Sequence, residues 1–419
     1  MSDYQLNGQP LRVQDESGRR ALAAAHAKHE RPLCLCRRPP VQMYIAKAGE
    51  AFIVKRMPNT GPTHDPGCES YEPPAELSGL GQVMGSAIKE DVEAGETTLK
   101  LAFSMSKGAT RAAPVPSDGQ TTTVKSDGTK LTLRSLLHYL WDEAGFNRWT
   151  PAMEGKRSYG VVRYHLLNAA NNKSAKGAPL AENLFIPERF NQSEQDAITR
   201  RTKRIFKSIA GMQGKVRKLL VVIAEVKAFG VARYGNKVTF KHLPGQDFYM
   251  DEKFFKKLEK NFASELDMWN ANEDSHLMLV GTFSVSDAGA PSLEEAALMP
   301  VTAQWIPYES SEEFELIEAL RKQDRKFMKG LRYNLANDKP LASVVTNDTI
   351  PAPVAMYLVP AEAPEESATA LVDLVKDSKL APWFWHTDSS MPELPARVDY
   401  TPMDLEAPVA SDASEAVTE

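Results

Sequence analysis

Residues 218–242 read KLLVVIAEVKAFGVARYGNKVTFKH. Leu219 to Ala224 is a short unbroken apolar run rich in β-branched residues, which suits a buried strand better than a helix. Glu225 and Lys227 close that run, and the spacing predicts a hairpin of residues 218–227 against 232–242. Downstream, the pattern predicts an amphipathic helix over 251–269 and strands over 276–285 and 298–306. A long helix over 312–331 and strands over 341–345 and 355–359 follow. The order is strand, strand, helix, repeated, and then two strands. Short connections between successive strands favour antiparallel pairing, so this part of the chain reads as an α+β domain. Trp383-Phe384-Trp385-His386 reads as one more strand, sealing the core.

Upstream of the quoted stretch, residues 193–211 predict a basic helix whose first turn is acidic, with Ser193, Glu194 and Asp196. Residues 132–172 predict two helices. Thr132 suits an N-cap, Leu133, Leu136, Leu137, Leu140 and Trp141 fall at helical spacing, and Gly145 ends the first helix. The pair is compatible with a winged-helix-like unit as well as with ordinary packing. Residues 96–108 predict a strand. Residues 109–130 form a polar, breaker-rich stretch in which two Ser-Asp-Gly turns flank a Thr-rich strand. Near the N-terminus, a strand over 11–13 and a helix over 17–29 precede a hairpin. Val41, Met43 and Ile45 alternate on one arm, Phe52 and Val54 on the other, with Ala48-Gly49 at the turn.

These shifts divide the chain into five parts. Residues 1–75 read as a zinc-binding hairpin module and 76–130 as a strand and linker region. Residues 131–192 form a helical segment, 193–400 the mainly antiparallel α+β domain, and 401–419 an acidic tail expected to be disordered. With 419 residues, 42% hydrophobic and 25% charged, the composition is that of an ordinary globular protein large enough for more than one core. The formal net charge of −5 selects no class of partner by itself. No run of eighteen apolar residues and no apolar leader core occurs, so the chain is expected in the cytoplasm with no membrane partner.

All three cysteines lie between Cys34 and Cys68. An odd, tightly clustered set is a poor disulfide framework and a better metal site. Cys34 and Cys36 are one residue apart, and His64 and Cys68 three apart, with 27 residues between the pairs. A hairpin across that interval brings the pairs together, and Asp65-Pro66-Gly67 supplies the turn that aims His64 and Cys68 at one point. Four soft or borderline ligands suit tetrahedral Zn2+, and with all four positions taken by protein the role is structural. His26 and His29, on the preceding helix, are nearby alternatives.

Glu225-x-Lys227 at a strand end is the ending several nuclease families give a core strand. There a glutamate binds Mg2+ and a lysine stabilises charge on the attacking water or the phosphate. That chemistry needs a second acidic ligand. Only Asp247, Asp251 or Glu252 could approach, and only if the hairpin folds back. Arg200, Arg201, Lys203, Arg204 and Lys207, followed by Lys215, Arg217 and Lys218, form a run of one sign in an acidic chain and could neutralise phosphates. Arg233, Tyr234, Lys237, Lys241 and His242 could extend that surface. No phosphate-binding Gly-rich loop, dinucleotide fingerprint or nucleophile elbow is present.

The stretches CLCRRPPVQMYIA, KRMPNTGPTHDPGC, LLHYLWDEAGFNRWTPAMEGKR, IAEVKAFGVARYGNKVTFKHLP and KGLRYNL resemble the bacterial family called Domain of Unknown Function 1173 across residues 30–360. The resemblance implies a protein carried by plasmids and integrative elements, with protein partners from such an element. It also implies that Cys34, Cys36, His64 and Cys68 match the family's cysteine–histidine pattern. In layout alone the chain is similar to CoiA-like competence proteins, which place a zinc module before a nuclease-type domain. The sequence therefore points to a zinc-stabilised accessory protein of a mobile element that contacts nucleic acid or a protein–DNA complex. A magnesium-dependent nuclease using Glu225 and Lys227, and a protein–protein scaffold, are the alternatives.

Overall fold

The computed structural model describes residues 4–48, 51–108, 128–349 and 352–397. The Thr-rich stretch expected between the two Ser-Asp-Gly turns and the acidic tail lie outside the described residues. The fold is α+β, with sheets dominated by antiparallel pairs. No helix among the described residues is long and apolar enough to cross a membrane.

The quoted stretch forms the Leu220–Val231 strand, which turns at residues 232–235 and pairs antiparallel with Asn236–Phe240. It also pairs along its first half with His276–Val285, which pairs in turn with Pro291–Val301. Phe248–Met250 bonds Asn236–Phe240 on one side and touches Pro291–Val301 on the other through the Tyr249–Ser292 bridge, so five strands close into a ring. Alternation splits the first strand between two cores. Leu220, Val222, Ala224 and Val226 face one with Phe240, Phe248 and Phe283. Val221 and Ile223 face the other, packed against the helices Leu133–Glu143 and Tyr159–Ala170. The basic segment is the Gln195–Ile209 helix, which delivers Phe206 to the first core with its ring 5.8 Å from that of Phe248.

The expected cap holds, since Thr132 accepts a hydrogen bond from the Ser135 amide at 3.2 Å. Leu133 and every residue from Ser135 to Trp141 of the Leu133–Glu143 helix are buried, while Arg134, Asp142 and Glu143 stay half-buried.

At the N-terminus, Val41–Ala48 and Ala51–Arg56 form the expected hairpin within a five-stranded sheet, and the Glu16–Ala27 helix packs on it through Leu22 and Ala25. A third sheet joins Arg148–Trp149, Phe327–Lys329, Val344–Thr346, Val354–Val359 and Ala381–His386. Its last two strands are parallel, and the Glu365–Ser378 helix makes the crossover that parallel pairing requires. The expected strand forms, but only Trp385 is buried and Trp383 half-buried, while Phe384 and His386 are exposed, so it covers the core in part.

Four elements depart furthest from expectation. The 96–108 strand is interrupted: Glu96–Leu99 pairs in one sheet, while Ser106–Gly108 pairs with Val216–Lys218 in another. The 251–269 helix is two, Glu252–Asn261 and Ala263–Ala271, broken at Phe262. The strand placed at 298–306 begins earlier, at Pro291, and stops at Val301, because Thr302 starts a turn in which Trp305 takes a φ of 63°. The helix placed at 312–331 stops at Lys322, where Asp324 adopts the left-handed conformation (φ 53°) that ends helices, and Phe327–Lys329 is a strand.

A candidate metal centre and a buried carboxylate cluster

Cys34 ends the Leu33–Cys34 strand, Cys36 lies two residues on, and the hairpin returns the chain to His64 and Cys68. The Gly61–Thr63 turn sets His64. Asp65 Oδ1 accepts from the Gly67 amide at 2.8 Å, and the Cys68 amide donates to the Asp65 carbonyl at 2.8 Å, which closes the turn that presents Cys68. The sulfurs of Cys34 and Cys68 are 3.7 Å apart. Nδ1 of His64 lies 3.3 Å from the Cys36 sulfur and 3.8 Å from that of Cys68. All four ligand atoms fall within 4.8 Å of one another, so the cluster could hold a metal ion. Cys34 and His64 are buried, Cys36 and Cys68 half-buried. Sharing a hydrogen with Cys68, together with burial, pushes the Cys34 thiol well above its ordinary range. Thiols crowded this way gain from a cation that accepts thiolates.

The loop carrying His64 and Cys68 is anchored by residues far along the chain. Arg148 donates to the Glu69 carbonyl at 2.7 Å and pairs with Glu72 at 2.6 Å, and Asn347 donates to the Pro66 carbonyl at 3.0 Å. His26 and His29 stand apart from the cluster. The His26 ring packs on Phe52 at 4.8 Å, and His29 Nδ1 lies 3.2 Å from Glu93.

Glu225 is only 3% exposed, on the strand face that carries Val221 and Ile223. Its carboxylate meets Lys241 Nζ at 2.6 Å, His276 Nδ1 at 2.6 Å and His242 Nε2 at 3.5 Å. The amide of Phe190 donates to His242 Nδ1 at 3.5 Å, which leaves the His242 proton on Nε2, facing Glu225. Both imidazoles are clamped by stacking, His242 on Tyr159 at 3.6 Å and His276 on Trp305 at 4.1 Å. Burial opposes ionisation of Glu225, but hydrogen bonds from His242, His276 and Lys241 hold its carboxyl far below the usual range.

Lys227 sits at the bulge between Val226 and Ala228 and is exposed. The lysine against Glu225 is instead Lys241, from beyond the neighbouring strand. The three acids considered as second ligands are engaged elsewhere. Asp247 pairs with Lys237 at 2.7 Å, Asp251 caps the Phe254 amide at 2.6 Å, and Glu252 pairs with Lys256 at 2.7 Å. Lys241 and His242 read from sequence as surface cations, and nothing in the local sequence around His276 marks it. Only the pairing of Leu220–Val231 with both neighbours assembles this cluster.

The basic helix buries Ile198, Thr202, Phe206 and Ile209 and exposes Arg200, Arg201, Lys203, Arg204 and Lys207. Arg201 is held by Glu188 through two hydrogen bonds of 2.7 and 2.6 Å. Arg200, Lys203, Arg204 and Lys207 fall at i, i+3, i+4 and i+7, one stripe opposite the buried face, with no carboxylate partner among the described residues. No curated protein and no solved structure matches the chain. A family model described as "Protein of unknown function (DUF1173)" matches residues 4–388, nearly the whole sequence, and the chain belongs to that family.

Proposed function

We propose that this is a zinc-stabilised accessory protein that contacts nucleic acid, in keeping with the mobile-element setting that the resemblance implies. The observation that carries the nucleic-acid reading is the stripe of Arg200, Lys203, Arg204 and Lys207. Four cations share one helix face over roughly 10 Å of axis, at ~1.5 Å per residue. Counterion release would drive such a face onto phosphates and make binding strongly salt-dependent. The exposed hairpin tip adds Arg233 beside Tyr234, a ring 79% exposed and available for stacking.

Zinc is the ion that best suits the cysteine–histidine cluster. Tetrahedral bonds of about 2.3 Å to sulfur imply sulfur–sulfur separations of about 3.8 Å, close to the 3.7 Å between Cys34 and Cys68. Nε2 of His64 is buried with no hydrogen-bond partner among the described residues, and Nδ1, which faces the Cys36 and Cys68 sulfurs, is the nitrogen placed to bind the ion. All four donors come from the protein, so the ion would tie the hairpin to the His64–Cys68 loop and leave no position for substrate.

The magnesium-nuclease alternative has less support, because the partners of Glu225 are a lysine and two histidines and the candidate second acids are bound elsewhere. Binding to short duplex DNA, single-stranded DNA and RNA at low salt tests the leading reading. Affinity should fall steeply with added salt, and Lys203→Glu with Arg204→Glu should weaken it at least tenfold while helicity is unchanged. Binding equal to that of the unaltered chain, or no binding to any of the three, overturns it and leaves the scaffold reading.

A further inference from the structure

A cleft of about 800 Å³ opens between the Leu133–Glu143 helix, the start of the Ser311–Lys322 helix and the Glu365–Ser378 helix. Its volume lies within the range of small-molecule sites, roughly 300–1,000 Å³. Its lining has two characters. Leu358, Leu371 and Phe384 give it an apolar side. The rest of the lining includes charges that are otherwise costly to place away from bulk water.

Two of the cations in the lining are matched by acids. Lys329, 1% exposed, pairs with Glu313 at 3.0 Å, and Arg332 Nε pairs with Glu309 at 2.6 Å. Arg134 is different. Its guanidinium donates to the Tyr333 carbonyl at 3.0 Å, the Leu335 carbonyl at 3.0 Å and the Asn337 side-chain oxygen at 3.1 Å. Those acceptors fix its position and carry no charge, and Glu309 and Glu265 act on the guanidinium through space without forming an ion pair with it. Next to it along the helix, His138 is 3% exposed and also lines the cleft. The Tyr333 amide donates to its Nδ1 at 2.9 Å, so its proton sits on Nε2, a donor with no protein acceptor among the described residues. Burial holds this imidazole neutral, its pKa pushed down to about 3. Burial also pushes the carboxyl of Glu265, on the same lining, toward the uncharged form.

We propose that this cleft binds a small organic anion, its carboxylate or phosphate oxygens held by Arg134 and the Nε2 proton of His138 and its apolar body lying on Leu358, Leu371 and Phe384. The arrangement is independent of the basic helix and of the metal cluster. It asks for a ligand with both an anionic end and an apolar portion. A neutral apolar molecule would leave the guanidinium without an anion in contact, and a bare inorganic anion would leave the apolar side uncovered.

The test uses the full chain and the fluorescent probe 8-anilinonaphthalene-1-sulfonate, which combines both features. The expected result is binding at one site, with displacement by octanoate or octyl phosphate at concentrations at least tenfold lower than by octanol or inorganic phosphate. The better of the two anionic competitors identifies the oxyanion. Arg134→Gln should remove the preference for octanoate over octanol. Because Arg134 also fixes the 333–337 segment, Ala368→Trp is the second variant, filling the cleft from an exposed helix position that makes none of those bonds. It should abolish probe binding without altering the circular dichroism spectrum. Octanol competing as well as octanoate, or undiminished probe binding in Ala368→Trp, overturns the proposal.

Discussion

Gly61 begins the turn that sets His64, and a Cβ there would lie 2.6 Å from the Glu72 Cβ. Glu72 cannot readily give way, because it is paired with both Arg56 and Arg148. Gly61→Ala should therefore cost about 1–3 kcal/mol, the usual range for overpacking, and lower zinc affinity as measured by competition with a chromogenic chelator. Unchanged affinity would show that the turn does not position the ligand. Glu225→Gln should cost about 2–3 kcal/mol in denaturant unfolding, since it strips the charge that three donors surround. An unchanged unfolding midpoint would refute that account of the cluster. The contrast between these two sites explains what could be read in advance. Cys34, Cys36, His64 and Cys68 are legible because rare residue types recur at short spacing around a predictable hairpin. Glu225 is legible as a strand-end acid, but its partners Lys241, His242 and His276 are common residues brought together by strand pairing, which leaves no local pattern. Arg134 and His138 are harder still, because they sit within a helix that reads as core.

Helices and strands were most legible where one period ran cleanly. The 276–285 strand and the basic helix emerge with nearly their expected bounds. The strand at Phe327–Lys329 is hidden because Leu316, Ile317 and Leu320 establish a helical period into which Phe327, Met328 and Leu331 also fit. The turn between them is held by Arg325, which donates to Asp348 through Nε at 3.1 Å and Nη2 at 2.8 Å, while the Lys326 amide donates to Asp348 at 2.7 Å. Arg325 and Asp348 are 1% and 4% exposed. Removing one member of such a pair strands the other, so Asp348→Ala should cost about 3–5 kcal/mol. Thermal unfolding checks this, and a loss below 1 kcal/mol would mean that the pair does not secure the helix-to-strand turn.

Across the molecule, buried carboxyls make stability depend on pH. At Glu143 burial favours the neutral form, but Lys173 at 2.7 Å and Lys55 at 3.1 Å hold the carboxyl far below its ordinary range. Glu225 is likewise held down, and Glu309 is lowered to about 2 because Arg332 and Lys329 together outweigh its burial. Groups with depressed folded pKa values stabilise the fold above their unfolded values, near pH 4–4.5, and that contribution is lost as the pH falls further. Asp142 acts in the opposite sense. Burial and Glu72 raise it to about 6, so it costs stability as the pH rises from about 4 to 6. Burial raises Glu90, Glu265, Glu295 and Glu313 as well, but Glu143, Glu225 and Glu309 are displaced further, and urea midpoints measured from pH 7 to 3 should drop mainly below about pH 4.5. A midpoint flat to pH 3 would contradict the pairing described for Glu143, Glu225 and Glu309.

The ring of five strands is sewn unevenly. His276–Val285 and Pro291–Val301 share a long ladder, whereas Phe248–Met250 meets Pro291–Val301 at the single Tyr249–Ser292 bridge. A cylinder joined so thinly along one line should breathe there first. Amide protons beside that bridge should be replaced by deuterium well before those of the facing wall, and a ligand or partner spanning it would act as a clasp.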